Sequence, residues 1–353
     1  MDFHDILKQA AERKASDIFL KEGVPPALRV NGRIISVDGL DELSTDELHD
    51  MAKSVMTAHQ FERFQEYHEL DIAFTMEGIC RFRANFYQQR GTMGIVLRLI
   101  PLQVPALDDL NMPPVVKDMA INRQGLILVT GPTGCGKSTT LAAIIDLINS
   151  TRRCNIVSIE DPIEFVHQDK KSIINQREIG IDTESFTDAL KYVVRQSPDV
   201  ILIGEMRDPE TMNVALAASE TGHLVLSTVH TCSAGETIDR IINMFPPHEK
   251  PQICLRMAGS LRGIVSQKLI PKVDGSGRVA AVEIMVAQPT VSKLIEEGRT
   301  GQLYSAISEG GYFGMQTMNQ CLVSFFKQGF ITEQEAMLSA GNVTELKQLI
   351  RRP

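Results

Sequence analysis

The chain has 353 residues, room for two domains at about 150 residues each. Apolar residues make up 43% and charged residues 23%, with 36 Lys and Arg against 44 Asp and Glu, a net charge of −8. That composition excludes a disordered, collagen-like or disulfide-stapled chain, and the acidic balance argues against a protein whose main task is coating nucleic acid.

No apolar run approaches the ~18 residues of a membrane span. The opening MDFHDILKQAAERK carries acids where a signal peptide has an apolar core, so no signal peptide is expected. The six cysteines (Cys80, Cys135, Cys154, Cys232, Cys254, Cys321) show no C-x-x-C spacing. They are expected to be reduced thiols, not a metal or redox site.

The first hundred residues predict a small α+β domain. Asn31-Gly32 between two apolar runs signals a tight hairpin. Ser44-x-x-Glu47 is a capping box, and Leu48, Met51, Ala52, Val55 and Met56 follow it at helical spacing. From Leu70 the period becomes two: Ile72 and Phe74 alternate with Asp71 and Ala73, then Phe82, Ala84 and Phe86 with Arg81, Arg83 and Asn85. A turn at Gln89–Thr92 leads into GIVLRLI.

Residues 101–114, with four prolines, read as a linker. A second domain is expected over 115–353. Short apolar runs at Leu126–Val129, Ile156–Ile159, Val200–Ile203 and Leu224–Leu226, mostly separated by helical stretches, predict a buried parallel sheet with crossover helices. From about residue 289 only helices are expected, one opened by Thr332-x-x-Glu335.

Gly131-Pro132-Thr133-Gly134-Cys135-Gly136-Lys137-Ser138 matches G-x-x-x-x-G-K-[ST] between an apolar run and a helical stretch, which Thr139 continues. Glycines admit backbone N–H groups close to phosphate oxygens, and the helix N-terminus faces the same anion. Lys137 supplies a point charge for the β- and γ-phosphates and the Ser138 hydroxyl a ligand for Mg²⁺. ATP and Mg²⁺ are thus the expected substrate and metal.

Acids end two of the runs. IVSIEDPIEF presents Glu160, Asp161 and Glu164, and DVILIGEMRD presents Glu205. In an open α/β sheet the strand C-termini face the ligand crevice. Asp161 before Pro162 fits a helix cap equally well. His223 and His230 flank the run LVLSTV; His230 at its end is placed to sense the γ-phosphate, while a structural hydrogen bond is an equal reading for His223.

A hairpin symmetric about Arg90-Gly91 puts Arg83 opposite Arg98, with Arg81 on the same face. Like charges directly opposite destabilise a sheet, so the cluster calls for an anion or for local acids. A neighbouring subunit's triphosphate would be such an anion, and the protein would then be an oligomer.

With GPTGCGKSTTLAA, IEDPIEFVHQ, NQREIGIDT, SPDVILIGEMRDPETM and ETGHLVLSTVHT in this order, the chain resembles the type IV pilus retraction ATPases, the PilT/PilU family, nearly end to end. The resemblance implies a PAS-like N-terminal domain, a RecA-like ATPase domain and a hexameric ring. Such rings act on the cytoplasmic face of the inner membrane, peripheral to it, through a platform protein, and power pilus retraction and twitching motility. It implies Glu164 as the residue that activates water, Glu205 as an atypical Walker B acid on Mg²⁺, His223 and His230 as a His box, and Arg83 and Arg98 as arginines presented to a neighbour's nucleotide.

A four-cysteine motif and a longer N-terminal region, features of assembly and secretion motors, are not seen, which favours retraction over those alternatives. VSKLIEEGRTGQ departs from the AIRNLIRE motif of PilT. With GVPPALRVNGRI, EFVHQ and GMQT the chain leans toward PilU, a branch in which a PilT-type paralogue supplies force. A RecA-like nucleic-acid translocase is the alternative of another class, and the net charge disfavours it.

Overall fold

The computed structural model describes residues 3–30, 32–37, 39–76, 78–100 and 104–351, and the chain divides into two compact units, 1–103 and 104–353.

The first unit runs α1 (Phe3–Glu12), β1 (Asp17–Lys21), β2 (Ala27–Val30), β3 (Arg33–Ser36), α2 (Thr45–Val55), α3 (Ala58–Tyr67), β4 (Glu69–Met76), β5 (Cys80–Gln89) and β6 (Thr92–Ile100). Its six strands form one antiparallel sheet in the order β3-β2-β1-β6-β5-β4. The two-residue alternation places Phe82, Ala84 and Phe86 at full burial against the helices. Ser44 and Glu47 close the expected capping box on α2. Val30 pairs with Arg33, as a two-residue hairpin requires; Asn31 of that turn lies outside the described residues. Arg90 and Gly91 both take positive φ, 49° and 83°, the geometry of a tight hairpin matched to strand twist.

The second unit contains α4 (Pro114–Ala120), β7 (Gly125–Thr130), α5 (Lys137–Thr151), β8 (Asn155–Glu160), β9 (Ile173–Glu178), α6 (Phe186–Val193), β10 (Val200–Ile203), α7 (Pro209–Glu220) and β11 (Leu224–Val229). It continues with α8 (Ala234–Asn243), α9 (Lys250–Ser260), β12 (Leu261–Pro271), β13 (Arg278–Val286), α10 (Pro289–Glu296), α11 (Leu303–Glu309), α12 (Met318–Lys327), α13 (Glu333–Ser339) and α14 (Val343–Arg351). The sheet order is β13-β12-β7-β11-β10-β8-β9, parallel except for the β12–β13 pair.

The four apolar runs are β7, β8, β10 and β11, each buried on both faces. Leu126 and Leu128 point into one core with α6–α11, Ile127 and Val129 into the other with α4, α5 and α12–α14. Three strands, β9, β12 and β13, add to those expected. Of the residues expected to link the domains, 101–103 lie outside the described residues. Leu107 and Met112 are buried in the second unit's core, so the stretch after residue 103 packs onto that unit. Beyond residue 289 the regular elements are helices, and Thr332 caps α13 through the Glu335 N–H. Among the described residues no helix is long and apolar enough to cross a membrane.

Candidate active site

The loop from Gly131 to Gly136 joins β7 to α5 at the C-terminal edge of the parallel sheet. Gly131, Gly134 and Gly136 take φ of 144°, 77° and 90°, which L side chains disfavour. Pro132, Thr133 and Gly134 form an exposed crest, while Cys135 is buried beneath it. Lys137 is 9% exposed and folds back on the loop, its Nζ donating to the carbonyls of Gly131 (3.0 Å) and Pro132 (3.1 Å). Ser138 and Thr139 in the first turn of α5 are half-buried. Burial pushes the Cys135 thiol pKa up, against the opposing charge of Lys137, so a protonated, unreactive thiol lines the floor.

Two further expected residues meet at the same sheet edge. Glu205 follows β10, His230 follows β11, and their side chains stand 3.4 Å apart. Thr228 donates to the Gly204 carbonyl (2.8 Å) and Ser227 to that of Ile203 (2.7 Å), pinning the two strand ends together. The half-buried Glu205 carboxylate also pairs with Arg207, a neighbour that sequence reasoning did not single out. Burial lowers the His230 pKa and the nearby Lys137 charge lowers it further, outweighing Glu205, so the imidazole is neutral at pH 7.

The acids after β8 divide. Glu160 accepts from the Ser158 hydroxyl (2.7 Å) and Gln176 Nε2 (3.2 Å), and burial pushes its pKa up. Glu164 is exposed on the following loop. Asp161 is exposed too, and no helix starts at it: the Asp161–Pro162 peptide is cis and the chain continues irregularly. His223 sits at the opposite end of β11, where its Nδ1 donates to the Ala218 carbonyl (2.9 Å) at the end of α7. Six strand residues, roughly 20 Å, separate it from the loop's edge of the sheet.

Arg83 and Arg98 belong to the first unit and face each other across β5 and β6. Asp17 lies 3.2 Å from both Arg98 Nε and Arg29 Nε, so one arginine of the pair has the local acid that the alternative reading asks for.

The donor set fits a nucleotide with Mg²⁺. Gly134 and Gly136 leave backbone of the loop uncovered by a Cβ at φ values that L side chains rarely adopt, and a hydroxyl (Ser138) with a carboxylate (Glu205) are hard oxygen ligands. Mg²⁺ bound with phosphates needs only one or two protein ligands, and these two residues could supply them.

A sequence model described as "Type II/IV secretion system protein" matches residues 2–338. The chain is 45% identical over 336 residues to the type IV pilus retraction ATPase PilT of Pseudomonas aeruginosa, covering 95% of this chain and 97% of that one. It is 40% identical over 351 residues to the type IV pilus ATPase PilU of the same organism, covering 99% and 92%. The fold superposes on a crystal structure of the pilus retraction motor PilT with bound ADP, with a TM-score of 0.93 at 44% identity over 99% of both chains. The DotB ATPase of Legionella pneumophila gives 0.81 at 31% identity, over 95% of this chain and 94% of that one.

Proposed function

The chain belongs to the type II/IV secretion system family and is an ATPase, and from that premise we propose that it is a ring-forming motor for type IV pilus retraction. The observation that carries this reading is its likeness to the ADP-bound retraction motor over 99% of both chains. In this reading six copies form the ring at the cytoplasmic face of the inner membrane and turn a platform protein there. A paralogous PilT-type ATPase is a candidate partner, since the chain resembles both PilT and PilU.

The substrate is ATP, held by the N–H groups of the Gly131–Gly136 loop and by Lys137. A water attacks the γ-phosphorus in line. Glu164, exposed beside the loop's edge of the sheet, takes the water's proton as the new P–O bond forms. The bond from the γ-phosphorus to the bridging oxygen breaks, leaving ADP and phosphate. Lys137 leaves the two loop carbonyls to meet the phosphates. Ser138 would hold Mg²⁺ directly. Glu205, two strands away at about 10 Å, would hold it through water. When bound, Mg²⁺ neutralises charge on the β- and γ-phosphate oxygens. Neutral His230, fixed by Glu205, faces the same edge as a γ-phosphate sensor. Arg83 and Arg98 of a neighbouring subunit complete the site. His223 stays outside this step within its own subunit.

The test is ATP turnover per subunit against protein concentration, with Lys137→Ala as the blank and sizing at each dilution. Turnover that rises steeply with assembly is expected. An active monomer would overturn the ring and its shared site.

A further inference from the structure

Gln267 lies on β12 and is 1% exposed, yet one end of its amide meets the phosphate loop and the other the helix that follows it. Its Nε2 donates to the Cys135 carbonyl at 2.7 Å. Its Oε1 accepts from the Thr140 hydroxyl of α5 at 3.0 Å. A carbonyl can only accept, so the amide's orientation is determined. Its backbone carbonyl forms the wall beside Gly131, where a Cβ would come within 2.4 Å of it. One residue therefore touches the start of the loop, its floor and the first turns of the helix after it.

The peptide between Cys135 and Gly136 gives this contact a consequence. In a planar trans peptide the C=O and N–H point in opposite directions. Tying the Cys135 carbonyl inward to Gln267 aims the Gly136 N–H outward, toward the side from which a phosphate approaches. Thr140 holds the far end of the same amide, so the loop and its helix are set against one reference point on β12. We propose that Gln267 is a positioning residue for ATP turnover, holding the loop's N–H groups in their phosphate-binding direction before ATP arrives. The proposal rests on the reading that this loop takes ATP.

The test compares Gln267→Met, which keeps volume and removes both hydrogen bonds, with Thr140→Val, which removes one. For each full-length variant, kcat, KM for ATP and the melting temperature are measured. Gln267→Met is expected to lose about 10- to 100-fold in kcat/KM, largely as a rise in KM, beside a fall of a few degrees in melting temperature from the two buried groups left unpaired. Thr140→Val is expected to lose less, about 2- to 5-fold. The double variant should be no worse than Gln267→Met within about twofold, because both bonds run through one side chain. A purely structural role would lower the melting temperature and the active fraction and leave KM alone. That result, or a Gln267→Met enzyme within twofold of the wild type, would overturn the proposal. If Gln267→Met does not fold, Thr140→Val decides, an unchanged KM refuting the role. Lys137→Ala runs alongside. If it turns over ATP, the reading of the loop itself fails; if it is dead while Gln267→Met is normal, only this inference fails.

Discussion

Arg83 and Arg98 are direct partners in the β5–β6 ladder, two guanidinium groups facing each other across an antiparallel pair. The pair is not symmetric. Arg98 lies 3.2 Å from the buried Asp17 carboxylate, which also holds Arg29 and accepts from the Ser16 hydroxyl. Arg83 has no ion-pair partner among the described residues. A like-charged pair opposite in a sheet costs roughly 0.2–1 kcal/mol. A fold that keeps it retains Arg83 at some expense to its own stability.

The two arginines should therefore separate on mutation. Arg83→Ala is expected to cut ATP turnover by roughly 10³-fold if the guanidinium completes a neighbour's site, while nucleotide binding persists. Its melting temperature should equal or slightly exceed that of the wild type, since repulsion is relieved. Arg98→Ala should also lose turnover, yet be the less stable of the two by about 1 kcal/mol or less, because Asp17 loses one exposed partner. Steady-state kinetics beside thermal unfolding checks both. Undiminished turnover in Arg83→Ala would remove the shared-arginine reading.

The facing of Arg83 and Arg98 was legible in the sequence because a two-residue turn determines register for a whole hairpin. The strands β7, β8, β10 and β11 were legible for a different reason. Strands buried on both faces read as unbroken apolar runs, and the loop–helix motif follows the first of them locally. β9 was not legible because it is an edge strand whose IINQRE ends in four consecutive polar residues, with neither an apolar run nor a two-residue alternation. β12 was hidden by the buried polar pair Ser266 and Gln267 in the middle of GIVSQKLI. The same break in the pattern was the available signal for Gln267, whose contacts to Thr140 and Cys135 lie 127 and 132 residues away. Local spacing has no access to such a pairing. Asp161 and His223 show the limit from the other side. Each had a local pattern that suited two roles; the structure starts no helix at Asp161, and it puts His223 in the structural hydrogen bond that its alternative reading described.

His167, on the irregular stretch after β8, supplies a pH prediction. Its Nδ1 is buried without a hydrogen-bond partner among the described residues, and burial pushes its pKa down to about 4, Asp146 opposing and Lys170 assisting. Between about 6.5 and about 4 the unfolded chain binds a proton that the folded chain refuses, so stability rises with pH across that window. The contribution is complete above pH 6.5 and lost on acidification, amounting to about 3 kcal/mol at most. Glu160 and Glu283 act in the opposite sense. Burial raises both, so the folded chain holds their protons longer and gains stability as pH falls. The comparison that isolates the imidazole is wild type against His167→Gln in urea unfolding. From pH 7 to pH 5 the wild type should lose about 2 kcal/mol more than the variant. Parallel curves would show that this imidazole titrates normally.

Two glycines of the phosphate loop should respond unequally to a methyl group. At Gly131 the added Cβ would stand 2.4 Å from the Gln267 carbonyl and 2.5 Å from Cys135 Sγ. The first is backbone of the neighbouring strand and cannot turn aside. Relief requires β7 and β12 to part at a point where Thr130 donates to Ser266 (2.8 Å) inside the core. At Gly134 the Cβ would meet nothing within 4 Å, and the cost is the left-handed backbone alone, about 1–2 kcal/mol. Gly131→Ala should therefore lose several kcal/mol of stability by urea unfolding, and Gly134→Ala no more than about 2. Binding should order differently. The Gly134 methyl projects from the exposed crest, where phosphate must approach the backbone, so a well-folded Gly134→Ala protein should still bind ATP at least about tenfold more weakly. Wild-type ATP affinity in Gly134→Ala would mean that the crest is not where the phosphates sit.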